Sequence, residues 1–206
     1  MVSETRRITA VQLEDAFTRT EGAATRRWLW RPLLGLLLTG QPASLEEIAT
    51  ATGHPAGQVR QALAALPSLE WDEQQRVVGY GLTLRPTPHQ FTVGATRLYT
   101  WCALDTLIFT GVLGCTARIE SSCHATGSPV RFTAGPTTIT SLDPPTTVVC
   151  LVTPDAAAPV RAAFCDHVHF FANPAAARIW LQEHPGAALL PVHEAHELAT
   201  MLGMLV

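Results

Sequence analysis

The sequence contains no lysine; all 14 of its basic residues are arginine. Without a side-chain amine there is no Schiff-base or pyridoxal-phosphate lysine chemistry, and a Walker A loop would lack its phosphate-binding cation. Charge of either sign is sparse, 15% of the chain, and the net charge of −3 leaves no basic surplus of the kind general nucleic-acid binding rests on. No two cysteines stand in Cys-x-x-Cys spacing, which weakens thioredoxin-like and zinc-ribbon readings. The five cysteines, Cys102, Cys115, Cys123, Cys150 and Cys165, are odd in number and thinly spread. Reduced thiols in a cytoplasmic protein are therefore expected, not a secreted disulfide scaffold. No apolar run approaches the roughly 20 residues of a membrane span. Arg26-Arg27 ahead of Leu33 to Leu38 faintly resembles a twin-arginine signal, but Arg31-Pro32 interrupts the run and places it in a core helix instead.

What is present is a chain of 206 residues, 47% of them hydrophobic, enough for one compact domain or two small ones with a true core. Residues 1–80 read as mostly helical. Apolar spacing predicts helices over Thr9–Thr18 and Trp28–Leu38, the second with Pro32 near its start and Gly40 beyond its end. Ser44 and Glu47 form a capping box for a helix ending near Gly53. Pro55 opens the next, Ala56–Leu66, with Val59, Leu63 and Leu66 on one stripe. Leu69–Trp71 and Arg76–Val78 then make a small hairpin across Asp72–Gln75. Helix, helix, hairpin is the order of a winged helix. Its recognition helix would offer Gln58, Arg60 and Gln61, but residues 1–80 hold eight arginines against nine acids, a net charge of −1. Groove readout normally rests on phosphate-contacting cations. This region is expected to be structural and not DNA-binding.

Past Gly81 the pattern turns β-rich. Strands are expected at Leu82–Arg85 and Gln90–Val93, then an apolar helix from about Thr96 to Leu113. Further strands follow at 118–121, 130–133, 138–142 and 147–153, punctuated by Gly127-Ser128-Pro129 and Asp143-Pro144-Pro145. Asp155–Phe164 reads as helix, His167–Phe171 as strand, and Pro174–His184 and 193–204 as helices. The fold class is α+β: a winged-helix-like unit over residues 1–80, then an α+β core with short antiparallel sheets over 81–206.

Two segments concentrate chemistry. Within the apolar run Leu98 to Phe109, Asp105 is the only acid, three residues after Cys102. On a helix the two would share a face, about 4.5 Å apart along the axis. A carboxylate among apolar groups gains proton affinity and, beside a thiol, can serve as base and then acid. The bland alternative is a capping carboxylate beside a small core residue. The second segment is Arg161 to Phe171. A strand there would put Cys165, His167 and His169 on one face, a weak Cys/His metal pattern that would need widely separated ligands such as Cys123 and His124; hydrogen-bonded strand histidines are the simpler reading. Arg161, about a turn before Cys165, either favours its thiolate or makes a surface salt bridge.

Four stretches carry a specific likeness: Gly79-Tyr80-Gly81-Leu82-Thr83-Leu84-Arg85, Leu98-Tyr99 through Trp101-Cys102-Ala103-Leu104-Asp105-Thr106-Leu107, Cys123-His124-Ala125-Thr126-Gly127, and Phe164-Cys165 to His167-Val168-His169-Phe170-Phe171. In this order, across about residues 30–200, the chain resembles the organomercurial lyases (alkylmercury lyases). The resemblance implies a winged-helix-like N-terminal region, an α+β catalytic core, Cys102 and Cys165 as mercury-binding catalytic cysteines, Asp105 as catalytic acid and Cys123 as a structural thiol. Asp166 stands where some members carry a second adjacent cysteine, outside the essential set. Cys115 and Cys150 match no motif and are expected to be buried bystanders.

The implied activity is protonolysis of the carbon–mercury bond of alkyl or aryl mercurials, giving a hydrocarbon and Hg(II). No resident cofactor is expected; Hg(II) is a product, held by Cys102, Cys165 and Asp105 until low-molecular-weight thiols or a mercuric reductase take it. No nucleic-acid or membrane partner is expected. The residues suit that chemistry: thiolates are the soft ligands among side chains, and Trp101, Leu104 and Phe164 would surround an organic group. Two alternatives remain: a winged-helix regulator sensing metal through Cys102, Cys123 and Cys165 and binding DNA through residues 44–66, and a homologue that only sequesters metal.

Overall fold

The computed structural model describes residues 13, 23–155 and 158–204. The helix expected over Thr9–Thr18 lies outside them except for Leu13, which is helical and buried. Helix α1 (Ala23–Leu37) begins earlier than the proline suggested, so Pro32 sits inside it. The fully buried stripe Leu29, Leu33, Leu34 and Leu37 explains why the helix tolerates a missing amide donor: tertiary burial outweighs the local cost. Helix α2 (Leu45–Thr52) has both halves of its capping box, the Glu47 amide donating to Ser44 Oγ at 3.2 Å and the Ser44 amide to the Glu47 carboxylate at 2.8 Å. Helix α3 (Ala56–Ala64) buries Val59, Ala62 and Leu63 and stops two residues before Leu66. The hairpin β1 (Glu70–Trp71) and β2 (Val77–Tyr80) follows, its turn pinned by Asp72, whose carboxylate accepts from the amides of Gln74 and Arg76.

That hairpin continues into the core. With β3 (Leu82–Thr83), β4 (His89–Val93), β5 (Thr96–Thr100), β6 (Ala117–Ser122), β7 (Pro129–Ala134) and β8 (Ile139–Asp143) it forms one antiparallel sheet in the order β1-β2-β3-β5-β4-β6-β7-β8. A second sheet, β10 (Phe170–Phe171), β9 (Val148–Leu151) and β11 (Ala188–Pro191), is also antiparallel. Helix α4 (Asp105–Leu113) packs along the closing helix α7 (Val192–Met204) and meets α1, where Trp30 and Phe109 contact edge to face at 5.8 Å. The class is α+β, as expected. No helix among the described residues is long and apolar enough to cross a membrane.

Four expectations fail locally. The helix predicted from Thr96 is a strand as far as Thr100, because Leu98 and Thr100 alternate inward while Arg97 points out, and Gly94-Ala95 folds the strand back on β4. The helix expected over Asp155–Phe164 is shorter too; among its described residues only α5 (Val160–Ala163) is helical, since Pro159 supplies no amide and restrains the residue before it. The strand expected over His167–Phe171 shrinks to β10, preceded by a 3-10 turn at Cys165–His167. Helix α6 (Arg178–Glu183) is shorter than expected, and β11 was not anticipated.

Gly81 fixes how the N-terminal part meets the core. Its φ is 83°, and a Cβ there would come within 2.6 Å of the Phe109 ring on α4, so only glycine allows this approach. One large core spans both parts of the chain. A smaller cluster, Cys123, Val148, Cys150, Phe171, Ala177 and Trp180, packs beneath the three-stranded sheet.

Candidate active site

Cys102 lies in the turn between β5 and α4, not on a helix. Its neighbours are tied down on both sides: the Trp101 amide donates to the Gly81 carbonyl at 2.9 Å, Thr100 Oγ1 to the Cys102 carbonyl at 2.9 Å, and the Ala103 amide to the Val168 carbonyl at 3.1 Å. The last bond fastens the Cys102 turn directly to the segment that carries Cys165. Asp105 is the first residue of α4, and Cys165 opens the 3-10 turn after α5. The two sulfurs and a carboxylate oxygen lie within 4.8 Å of one another, the one such group of potential metal ligands among the described residues. The Cys165 thiol points at Asp105 Oδ2 from 4.0 Å.

Burial dominates the electrostatics. Cys102 is fully buried and Cys165 5% exposed; Asp105 keeps a small accessible face but is closely surrounded by protein. Loss of water raises the Asp105 carboxyl to about 6, against the opposing pull of hydrogen bonds from the Cys102 side chain and backbone and of the Arg161 charge. Burial also pushes the Cys102 thiol up. Cys165 is held well above the usual thiol range, first by its hydrogen bond with Cys102 and then by burial and nearby negative charge. The resting arrangement is two protonated thiols facing a carboxyl that exchanges its proton near neutrality. It can place two soft sulfur ligands on a metal and move a proton beside them.

The three residues singled out from the sequence thus converge, but for a different reason from the spacing argument. Cys102 and Asp105 meet through a turn held by distant backbone bonds, not through a shared helical face. The proposed face of Cys165, His167 and His169 does not exist, because the 3-10 turn sends Cys165 inward towards Asp105 while the histidines join aromatic contacts. His169 stacks on His124 at 3.8 Å, and His167 lies 5.7 Å from His184, which stacks on Trp180 at 4.0 Å. Cys123 and Cys150 belong to the smaller core, away from the three-residue group; Cys115 is half-buried, more exposed than expected. Trp101, Leu104 and Phe164 are buried in the large core.

Arg161 makes more than a surface salt bridge. Its Nη1 pairs with the buried carboxylate of Glu70, its Nε lies 3.8 Å from Asp166, and its guanidinium sits 4.9 Å above the Trp101 ring. Glu70 was missed from the sequence. In Leu69-Glu70-Trp71 alternation turns either the acid or both apolar neighbours inward, and hydrophobicity favours the neighbours; the structure buries the acid.

The alkylmercury lyase family model matches residues 82–203, and the helix-turn-helix domain of alkylmercury lyase matches residues 9–81. The chain is 54% identical over 193 residues to the alkylmercury lyase of Streptomyces lividans, covering 94% of this chain and 90% of that protein. It is 52% identical to that of Staphylococcus epidermidis, covering 94% and 89%, and 47% identical to that of Pseudomonas putida, covering 84% and 82%. The crystal structure of the mercury-bound form of MerB2 shares the fold, with a TM-score of 0.79 over 95% of this chain and 98% of that one, at 24% identity.

Proposed function

The chain belongs to the alkylmercury lyase family, enzymes that act on organomercurials, and from that membership we propose that Cys102, Cys165 and Asp105 cleave the carbon–mercury bond by protonolysis. One observation carries this: two buried thiols and a carboxyl raised to about 6 lie within 4.8 Å of one another.

An incoming R–Hg–X first exchanges X for one cysteine sulfur. Asp105 accepts the proton that this thiol releases, which its raised proton affinity favours and its 4.0 Å reach to Cys165 allows. The second thiol then adds to mercury, giving its proton up to the displaced X⁻, and its sulfur raises electron density on the metal–carbon bond. Asp105, now neutral, donates its proton to the carbon as the bond breaks. The balance closes: two thiols surrender two protons, one leaving with X and one ending on the hydrocarbon, and Hg(II) remains on two sulfurs. Both thiols rest protonated, so the carboxyl is what lets a buried, neutral pair become a soft, anionic one only when mercury arrives. No resident cofactor takes part. Exogenous thiols then remove Hg(II), or a mercuric reductase takes it. Asp166, in place of a second adjacent thiol, leaves that handover to Cys102 and Cys165 alone.

The regulator alternative required Cys123 as a ligand beside Cys102 and Cys165, and Cys123 lies in the other core cluster. Incubation with phenylmercury and excess thiol, following benzene, tests the reading. Repeated turnover is expected. Stoichiometric mercurial binding without benzene would mean that the protein only sequesters metal.

A further inference from the structure

Glu70 is a buried carboxylate that the chemistry above leaves unused. It is 8% exposed, comes from the N-terminal hairpin, and has three donors converging on it: Arg161 Nη1 and, at 3.3 Å, Trp101 Nε1 on one oxygen, and Thr83 Oγ1 on the other. The two distant donors lead directly to the thiols. Trp101 immediately precedes Cys102. Arg161 stands four residues before Cys165 on the single turn of α5, and its guanidinium also lies over the Trp101 ring. The sheet leaves room for this carboxylate at one position. Gly79 pairs with Glu70 in one register and with Thr83 in the other, and a Cβ on it would collide with Glu70 Oε2 and with the Thr83 side chain.

We propose that Glu70 is a positioning residue for carbon–mercury cleavage, a clamp through which the winged-helix-like unit holds the Cys102 and Cys165 segments at the spacing that lets both sulfurs bind one mercury. This rests on the thiol-pair reading. It assigns the N-terminal unit a task other than DNA binding: its hairpin supplies the anion that locks two handles, one beside each thiol. The carboxylate pairs with Arg161 and fills the acceptor need of a buried indole, so removing it leaves the indole unpaired and Arg161 with only the longer contact to the exposed Asp166. Displacing a reacting group by about 1 Å is enough to lose on the order of 100-fold in rate.

The test compares Glu70→Ala, Glu70→Gln, Gly79→Ala and Asp72→Asn in the full chain. Two readouts are taken: kcat and KM with phenylmercury, and the glutathione concentration that strips half of the bound Hg(II). Glu70→Ala should lower kcat about 10- to 100-fold and make Hg(II) removable at roughly tenfold less glutathione, as two-sulfur ligation loosens. Glu70→Gln keeps an oxygen for Trp101 and Arg161 and should recover part of both losses. Gly79→Ala, whose backbone alanine tolerates, should reproduce the Glu70→Ala defects by displacing the carboxylate. Asp72→Asn disturbs the same hairpin at its turn and should leave both readouts near wild type. If Glu70→Ala does not fold, Glu70→Gln and Gly79→Ala decide. Wild-type kcat and wild-type Hg(II) retention in those two would overturn the proposal. Should the unaltered protein hold Hg(II) without releasing benzene, the protonolysis reading fails, while the retention series still decides the role of Glu70.

Discussion

Cys165 and Cys123 are both almost wholly buried, yet their thiols are driven in opposite directions. Cys165 rises well above the usual thiol range because its sulfur faces another thiol and a carboxylate. Around Cys123 burial also pushes upward, but the Thr126 side chain and the backbone amides of Ala172, Thr126 and Ala125 outweigh it and hold the thiol below its ordinary value. The Cys123 environment is mostly local: its amide donates to the Ser128 carbonyl at 2.7 Å and its carbonyl accepts from the Gly127 amide at 2.8 Å, closing one tight turn. The environment of Cys165 comes from 60 residues away, at Asp105. Burial therefore does not decide what a cysteine does here. Its partners do: hydrogen-bond donors lower the Cys123 thiol within a local turn, whereas Cys165 faces a second sulfur and a carboxyl, the arrangement proposed to take mercury.

The sharpest way to break this contrast is to remove each thiol. Cys102→Ala and Cys165→Ala should each lower benzene release by roughly a thousandfold or more, since the residues act as a unit; substantial turnover in either would disprove the two-sulfur requirement. Asp105→Asn should still bind the mercurial, seen as retained Hg in a filtration assay, while turnover falls by about 10²- to 10⁴-fold.

The same variant should be more stable than the wild type, and the sign follows from the raised carboxyl. Folding lifts Asp105 from 3.8 to about 6, so the folded state favours its protonated form and the ionised form costs about 2–3 kcal/mol above pH 6. Denaturant melts should show that the stability difference between Asp105→Asn and wild type is fully present above pH 6 and fades as pH falls from 6 towards 4. A gap that did not shrink on acidification would place the effect elsewhere.

Smaller effects are expected on the other side of the comparison. Cys123→Ala should cost about 1–2 kcal/mol in unfolding free energy, through lost packing and a loosened turn, with kcat within a few-fold of wild type. A loss as deep as that of Cys165→Ala would bring Cys123 into the reaction itself. Cys115→Ala, at a half-buried site, should stay within about 0.5 kcal/mol of wild type and leave turnover unchanged.

Legibility from sequence followed the range of the interactions. The capping box of Ser44 and Glu47, the stripe of Val59 and Leu63, the hairpin turn at Asp72 and the alternating strands β6 and β7 rest on near neighbours in the chain, and the structure has them near where the pattern put them. Some misreadings came where a long-range contact overrode a local one, though the local Pro159 cut short the helix expected before Phe164. The apolar run after Thr96 concealed an alternating strand, the proline inside α1 is tolerated because its helix is buried, and Glu70 turns inward because Trp101 and Arg161 meet it there. The resemblance singled out Cys102, Asp105 and Cys165, and the structure brings the three together, but the geometric reason first offered for two of them, a shared helical face, does not hold.

By itself, then, the sequence determined the chemical means and the local elements: no lysine, so no amine chemistry; five thiols and a solitary acid in an apolar run; caps, turns and alternation that depend only on near neighbours. The tertiary structure alone decided which thiols became a pair. Cys102 and Cys165 are 63 positions apart, and bringing them round one carboxyl takes the Ala103–Val168 backbone bond, the Gly81–Phe109 approach and the burial that raises Asp105. Proximity between distant segments, and the removal of water that follows from it, are properties of the packed chain and cannot be read from the order of its residues.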